Sequence, residues 1–363
     1  MKHKFNYLIF FLILILLPAC KLFEKKEKRE TIFDKKVSIP KQLVLEIPEV
    51  PSLCDEIPDL KKGFVDIPGG KLYYEEEGSG NPLVLVNPGP GGTHHAFHPY
   101  FSQLKDIARI IYYDARGTGK STFDETGKTY TMKQLVEDLE YLRKGLNIET
   151  WVMLGWSFGG FSAQCYALTH PETLRGLILV APGYGKTSLP LKPSRCKNFL
   201  TAEEKNAIQK INQMKVEGKL TELQASINAY LAGEWKCQYY YKPTLAELYR
   251  EDAYFWKPAP GFNRLMSLDR SQIDLEGKFD DFEIPTLLIE GKWDLSWDTD
   301  KFDYMQKLLP HAQFELFENS SHCVFCDETK KFFEVLRTFL KNLSEKPIEQ
   351  KKITIKWPKP PVP

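Results

Sequence analysis

The chain has almost no excess of charge of either sign. Its 363 residues include 49 lysines and arginines against 48 aspartates and glutamates, a formal net charge of +1 at pH 7. Proteins that bind nucleic acid through its phosphates usually carry a clear positive excess. We therefore expect no nucleic-acid partner. A repeat of fixed period is also lacking, which argues against solenoid and propeller folds.

Complete motifs for a nucleotide or a metal are lacking as well. The segment Gly117–Ser121 ends like a phosphate-binding P-loop, but Asp114 stands where the first glycine is required. His94, His95 and His98 lie close together without a paired carboxylate motif, so we expect them on the surface of a loop or helix. The sequence therefore predicts neither a cofactor nor a metal.

The clearest long apolar run is Leu8–Leu17, which has the length of a signal peptide and is short for a membrane span. It follows the basic segment Met1–Lys4 and ends just before Cys20, in an arrangement that resembles a bacterial lipobox. We predict that Cys20 is lipidated and anchors an extracytoplasmic bacterial membrane lipoprotein. An ordinary cleaved signal peptide and an uncleaved anchor are the alternatives.

From about residue 63, short apolar segments alternate with amphipathic helical patterns, which is typical of an α/β fold with a mostly parallel sheet and helices on both faces. The predicted strands are Leu72–Glu75, Leu83–Val86, Ile107–Tyr113, Trp151–Leu154, Leu177–Val180, Thr286–Ile289 and Phe314–Phe317. The predicted helices include Thr131–Leu146, where Thr131 and Gln134 suggest a capping box, and Phe332–Leu343.

The strand pattern stops between residues 183 and 281, which predicts a helical cap inserted over the carboxyl edge of the sheet. The aromatic residues of this segment either line a substrate pocket or form the cap's own core; they are Tyr239–Tyr241, Tyr249 and Tyr254–Trp256. The predicted organisation is a signal peptide with lipobox (1–20), a tether (21–62), the first part of the core (63–182), the cap (183–281), the second part of the core (282–343) and a tail rich in proline and lysine (344–363).

Six cysteines remain besides Cys20, and the sequence leaves their pairing open. We consider a bridge between Cys196 and Cys237 plausible because both lie in the predicted cap. Cys165 is expected to be a buried free thiol on the apolar face of a helix. The other cysteines are Cys54, Cys323 and Cys326, of which the last two resemble a redox or zinc half-site.

Ser157 lies in the segment Gly155–Gly160, which reads G-x-S-x-G-G. A predicted strand precedes it, and a helical pattern follows it as far as Pro171. Glycines on both sides permit the crowded turn from strand to helix, and this turn exposes the serine hydroxyl beside the N–H groups of the helix start. We predict that Ser157 is a catalytic nucleophile.

A serine nucleophile needs a base, and the base needs an acid to orient it. In this architecture both follow late strands, and the predicted acid is Asp294, with Asp298 and Asp300 as alternatives. His322 is the predicted base because it follows the last predicted strand, whereas His311 precedes that strand and is expected at the surface.

The negative oxygen of a tetrahedral intermediate needs N–H donors that are already in place. We predict that the N–H groups of Phe158 and Gly89 supply them. Phe158 follows the nucleophile, and Gly89 lies in the glycine-rich loop Asn87–Gly92 after a strand. The alternative is that this loop is rich in glycine and proline for conformational reasons only.

These motifs resemble the α/β-hydrolase superfamily and, within it, the proline iminopeptidase-like branch. The corresponding segments are Asn87–Gly91, Asp114–Ser121, Gly155–Gly160, Gly291–Asp294 and Ser321-His322. The resemblance implies a serine hydrolase that forms an acyl-enzyme and acts as an aminopeptidase on short peptides. This chain differs from the pattern of that branch at Asn87-Pro88, which replaces His-Gly. It also differs in the cap, where Glu234 is the nearest counterpart of the carboxylate that binds the substrate amine in that branch.

Two other functions remain open from the sequence. A carboxylic ester hydrolase is favoured by the altered loop at Asn87-Pro88 and by the missing amine-binding segment. A non-catalytic surface lipoprotein of the same fold is conceivable, although the complete set of serine, acid and histidine argues against it. A relative that cleaves halides or epoxides is disfavoured because those enzymes carry aspartate at the position of Ser157.

Overall fold

The computed structural model describes residues 29–34, 39–47, 57–188, 194–248, 258–296 and 300–360. Cys20, Cys54, Asp298 and the aromatic residues between 249 and 257 lie outside these ranges. None of the helices within them is long and apolar enough to cross a membrane.

Eight strands form one sheet, in the order β1-β2-β4-β3-β5-β6-β7-β8. The strands are β1 Lys61–Ile67, β2 Gly70–Gly78, β3 Asn81–Val86, β4 Ala108–Tyr113, β5 Trp151–Trp156, β6 Leu174–Val180, β7 Thr286–Gly291 and β8 Gln313–Phe317. The pairs β1–β2 and β2–β4 are antiparallel, and all the other pairs are parallel. The predicted fold class is confirmed, and β1 is a strand that the sequence patterns did not indicate.

Helices cover both faces of this sheet, because the central strands are apolar on both sides. In β3, Leu83 and Leu85 face one core while Val84 and Val86 face the other. Strands β5, β6 and β7 are buried along their whole length, as expected for parallel strands covered on both faces. The helices that cover them are α1 Met132–Gly145 and α2 Phe158–Thr169 on one face, and α7 Val324–Asp327 and α8 Thr329–Asn342 on the other.

The described residues between β6 and β7 contain helices but no strand of the sheet. They include α3 Ala202–Val216, α4 Glu222–Leu231 and α5 Phe262–Arg270. One more helix, α6 Asp300–Leu308, follows β7 and lies outside this segment. Helices α3 and α4 enclose a small apolar core of their own. Helix α5 instead packs into the main core, so the described part of this segment has two different packing environments. The bounds of the predicted cap remain a prediction.

A few of the described residues of the predicted tether and tail contact the domain, whereas most of the others are exposed or half-buried. Ile32 is only 2% exposed, and Asn228 of α4 holds the main chain of Val44 through both its amide oxygen and its amide nitrogen. In the tail, the Ile353 N–H donates to Leu168 O at 2.8 Å, and Ile355 is buried. Apolar side chains spaced among many charged residues provide these contacts, and composition alone did not reveal them.

Two disulfides and one free thiol account for the cysteines of the described residues. Cys196 is bonded to Cys237, and Cys323 to Cys326. Cys165 is free and buried. The expected bridge in the cap segment and the expected free thiol are therefore confirmed, whereas the C-x-x-C pair forms a disulfide and the described residues contain no cluster suited to a metal.

The predicted capping box at the start of α1 is only half formed. The Thr131 hydroxyl accepts a hydrogen bond from the Gln134 N–H at 3.1 Å. The Gln134 side chain does not return to the main chain of Thr131, because its amide donates to Asp138 at 3.0 Å.

Candidate active site

Ser157 occupies the turn between β5 and α2 with φ 56° and ψ −119°. A residue with a side chain seldom adopts a positive φ, and such a conformation persists only when the surroundings hold it. Here the Ser157 N–H donates to Val180 O at 2.9 Å, and the Ser157 carbonyl accepts from the N–H groups of Gly160 and Gly183 at 2.9 and 2.7 Å. The turn is therefore fixed on both sides of the serine.

The glycines beside Ser157 are required by close approach of the main chain. A Cβ atom on Gly155 would lie 2.3 Å from Gly159 O, and one on Gly159 would lie 2.1 Å from Val86 O. Both distances are well below van der Waals contact. The second also shows that the start of α2 packs directly against the end of β3, where the glycine-rich loop begins.

Asp294 and His322 are brought together at the carboxyl ends of β7 and β8. His322 Nδ1 lies 2.8 Å from Asp294 Oδ2, and the Ser296 N–H donates to Asp294 Oδ1 at 3.1 Å. Asp294 is 1% exposed. Burial raises the pKa of its carboxyl, but the charge and hydrogen bond of His322, together with the charge of Lys301, outweigh this and hold the pKa below its ordinary value.

The loop of His322 is attached to Trp156, the residue that precedes Ser157. The indole Nε1 of Trp156 donates to the main-chain carbonyl of His322 at 3.0 Å, and the two rings lie 5.8 Å apart. The same loop packs against the end of β7, since a Cβ atom on Gly291 would lie 2.1 Å from Ser321 O. Contacts among the ends of β5, β7 and β8 therefore place Asp294 and His322 at the edge of the sheet where Ser157 lies.

The two predicted oxyanion donors lie where the loop after β3 meets the start of α2. Phe158 is the first residue of α2, so its N–H belongs to the first turn, whose N–H groups have no partner within the helix. Gly89 has φ +129°, which a glycine adopts without strain. The Gly92 N–H donates to Pro88 O at 3.1 Å and closes the loop around Gly89.

The expectation that the three histidines lie at the surface is wrong for His94 and His98, which are 1% and 3% exposed. His94 Nδ1 lies 2.7 Å from Asp114 Oδ1, and His98 Nε2 lies 3.1 Å from Glu75 Oε2. Burial raises the pKa of Glu75, but its hydrogen bonds and the nearby histidines hold it well below its ordinary value. This polar cluster fastens the turn that follows the glycine-rich loop to β2 and β4. The sequence could not show it, because its carboxylates come from distant strands.

Three predicted or alternative residues are not joined to this site by any contact seen among the described residues. Glu234 begins the turn Glu234–Cys237, where burial raises the pKa of its carboxyl and the nearby charge of Lys215 opposes this. Asp300 begins α6. His311 is exposed, as predicted, with Nε2 2.8 Å from Asp280 O.

Three further residues support the site and were not identified from the sequence. They are Trp156, which holds the loop of His322, and the buried pair Glu290 and Lys301, which lies behind Asp294. Glu290 directly follows the predicted strand Thr286–Ile289 and lies within the observed β7. Nothing in the sequence indicates that Lys301 reaches it.

Comparisons with known proteins agree with this geometry. Residues 82–329 match the family model described as the alpha/beta hydrolase fold. The chain is 26% identical over 299 residues to a proline iminopeptidase of Heyndrickxia coagulans, covering 78% of this chain and 99% of the relative. It is 28% identical over 293 residues to a proline iminopeptidase of Clostridium botulinum, covering 77% and 98%.

Among solved structures, an esterase from Exiguobacterium antarcticum matches with a TM-score of 0.59 and 22% identity, over 77% of this chain and 99% of that one. A proline iminopeptidase of Mycobacterium smegmatis matches with a TM-score of 0.58 and 19% identity, over 77% and 98%. At these identities the structures show the fold alone. Taken with the family match over 82–329, they show that this chain is a hydrolase that belongs to the α/β-hydrolase family and resembles its proline iminopeptidase-like branch.

Proposed function

We propose that the protein is a serine hydrolase in which Ser157 is the nucleophile, His322 the general base and Asp294 the residue that orients the base. The observation that carries this proposal is the 2.8 Å contact between His322 Nδ1 and Asp294 Oδ2, on a loop tied to the residue before Ser157. A carboxylate on Nδ1 leaves Nε2 free to accept a proton from a hydroxyl.

The reaction proceeds through a covalent acyl-enzyme. Ser157 Oγ attacks the substrate carbonyl as its proton passes to His322 Nε2, and the N–H groups of Phe158 and Gly89 hold the negative oxygen. His322 then gives the proton to the leaving amine or alcohol as the bond to the carbonyl carbon breaks. Water, activated by the same histidine, releases the acid and restores the serine.

The substrate that we favour is a short peptide with an N-terminal residue such as proline. Support comes from the similarity to curated proline iminopeptidases over 78% of the chain. Such a peptide presents a free ammonium group, which a carboxylate of the cap has to bind. Glu234 is the nearest counterpart of such a carboxylate in the sequence, and it begins a turn whose last residue, Cys237, accepts a hydrogen bond from Ser296 beside Asp294.

A carboxylic ester hydrolase is the second candidate, and two observations favour it. Asn87-Pro88 replaces the His-Gly of the iminopeptidase-like loop, and the cap lacks a segment that matches the amine-binding segment of that branch. An ester substrate needs no amine-binding carboxylate.

The test is turnover of proline p-nitroanilide beside a short p-nitrophenyl ester, with Ser157→Ala as the inactive variant. Ser271→Ala, an exposed serine on another helix end, serves as the matched control. Anilide cleavage that depends on Ser157 establishes the aminopeptidase, whereas cleavage of the ester alone establishes the esterase. Folded protein that cleaves neither and does not react with a fluorophosphonate probe contradicts both and favours a binding protein.

We also propose, from the sequence, that Cys20 carries a lipid and that the hydrolase domain works outside the cytoplasm at a bacterial membrane. The support is the basic and apolar segment before Cys20. The test is phase partitioning of the full chain expressed in bacteria, together with incorporation of labelled palmitate. Both are expected to be lost in Cys20→Ala, and partitioning of that variant with the detergent phase would contradict the proposal.

A further inference from the structure

Two buried charged side chains lie behind Asp294 and have no part in the mechanism given above. Glu290 is in β7, next to its last residue, and Lys301 is the second residue of α6. They are 0% and 2% exposed. Burial of a charged group is costly unless the group is paired, and apolar residues often fill such positions at no loss of stability.

Short contacts join this pair to Asp294. Lys301 Nζ lies 3.1 Å from Glu290 Oε1 and 3.2 Å from its Oε2. It also lies 3.9 Å from Asp294 Oδ2, the same oxygen that lies 2.8 Å from His322 Nδ1. One carboxylate oxygen therefore faces both an ammonium group and an imidazole ring, and the two nitrogens are within about 7 Å of each other.

We propose that Glu290 and Lys301 are positioning residues whose charges set how strongly Asp294 stabilises a proton on His322. The ammonium group of Lys301 competes with the protonated ring for Asp294 Oδ2. Glu290, when ionised, offsets the ammonium group and leaves more of the Asp294 charge to the ring. The inference rests on the proposed function only for its effect on turnover, because the proton affinity of the ring is a property of the free protein.

Other charged groups near these loops act on main-chain atoms. Arg195 donates to the carbonyl of Asp294 at 3.4 Å, and Asp327 of α7 accepts from the Ser321 N–H at 2.9 Å. Both remain unchanged in the variants below, so their contributions cancel in the comparison. Burial raises the pKa of Glu290 to about 7 despite the opposing charge of Lys301, so this carboxyl is partly ionised near neutral pH.

The experiment is a pH titration of the His322 ring signals by NMR in the full chain, with the signals assigned by their loss in His322→Asn. The variants are Lys301→Met, Glu290→Gln and the double variant. Lys307→Met is the matched control, because Lys307 lies on the same helix and is exposed. The low-pH limb of kcat/KM is recorded for each variant as a second readout.

We expect Lys301→Met to move the titration midpoint of the ring upward by about one pH unit, a roughly tenfold gain in proton affinity. Glu290→Gln moves it downward, because it removes the carboxylate charge that offsets the Lys301 charge beside Asp294. The double variant behaves like Lys301→Met, because loss of the Lys301 charge removes the main influence that lowers the pKa of the buried Glu290 carboxyl and leaves that carboxyl neutral. Lys307→Met changes nothing.

A merely structural pair would lower stability or activity without moving the midpoint. An unchanged midpoint in Lys301→Met, or shifts of the same sign in both single variants, therefore overturns the inference. If Lys301→Met does not fold, the downward shift in the near-isosteric Glu290→Gln decides the question, and the absence of that shift refutes it. If the midpoints move as expected but no variant hydrolyses any substrate, the charge pair stands and the proposed function fails.

Discussion

The disulfide Cys196–Cys237 closes a much longer loop than Cys323–Cys326, and this difference predicts how much each bridge stabilises the fold. The cysteines are 41 residues apart in the first bridge and 3 apart in the second. A bridge lowers the conformational entropy of the unfolded chain, and the resulting stabilisation grows with the logarithm of the loop length. This stabilisation is about 4 kcal/mol for the long loop and about 2 kcal/mol or less for the short one. We expect Cys196→Ala with Cys237→Ala to lose about twice as much free energy of unfolding as Cys323→Ala with Cys326→Ala.

The assay is equilibrium unfolding in urea without reductant, followed by both far-ultraviolet circular dichroism and tryptophan fluorescence. Coincident curves and an unchanged slope indicate that the midpoints report stability alone. The variant without the short bridge is the internal control, because it also loses one disulfide and two sulfur atoms. Equal losses in the two variants, or a larger loss for the short bridge, would refute the argument from loop length.

The long bridge also bears on the site itself. The hydroxyl of Ser296 donates to the carbonyl of Cys237 at 3.2 Å, and the Ser296 N–H donates to Asp294. Loss of the bridge loosens a turn that supports the acid. We therefore expect a fall in kcat to accompany the loss of stability in the long-bridge variant.

Three further predictions concern the site directly. Asp294→Asn is expected to lower kcat by roughly 10⁴ because the amide favours the wrong tautomer of the base, whereas Asp300→Asn is expected to retain activity in the same assay. Gly159→Ala places a Cβ atom 2.1 Å from Val86 O, and this clash is expected to lower the melting temperature and to abolish labelling of Ser157 by a fluorophosphonate probe. Normal labelling would contradict the close packing of α2 against β3. Burial raises the pKa of Glu290 to about 7 in the folded state, so the protonated carboxyl contributes stability at low pH, and this contribution is lost as the pH rises from about 4.5 to 7. We expect Glu290→Gln to reduce the fall of the urea midpoint over this pH range. An unchanged pH dependence would argue against the raised pKa.

Much of the fold could be predicted because the central strands are continuous apolar runs. The segments around Leu83–Val86 and Leu177–Val180 were recognised as strands, although β6 begins three residues earlier than the pattern suggested. Strand β1 was missed because it is an edge strand with exposed charged residues and little apolar pattern. The packing of Ile32 in the core was missed for a similar reason, because this buried residue stands among exposed or half-buried ones.

The predicted site residues differ in how far local sequence could locate them. Ser157 was found because its glycines are neighbours in the chain and the turn itself requires them. His94 and His98 were placed at the surface because their partners, Asp114 and Glu75, come from other strands. Glu234 was suggested by resemblance only, and its described contacts lie elsewhere.

The sequence by itself indicated seven of the eight strands, the strand–turn–helix geometry at Ser157, and the positions of Asp294 and His322 after late strands. These features depend on apolar periodicity and on glycine, which act over a few residues. The tertiary structure alone decided that the Asp294 carboxylate is shared between His322 and Lys301 and that Trp156 holds the loop of His322. It also decided that Ile32 and Ile355 are buried in the cores. Such contacts join residues that are far apart in the chain, and they exist only because the folded sheet brings the ends of its strands to one edge and buries the charges behind them.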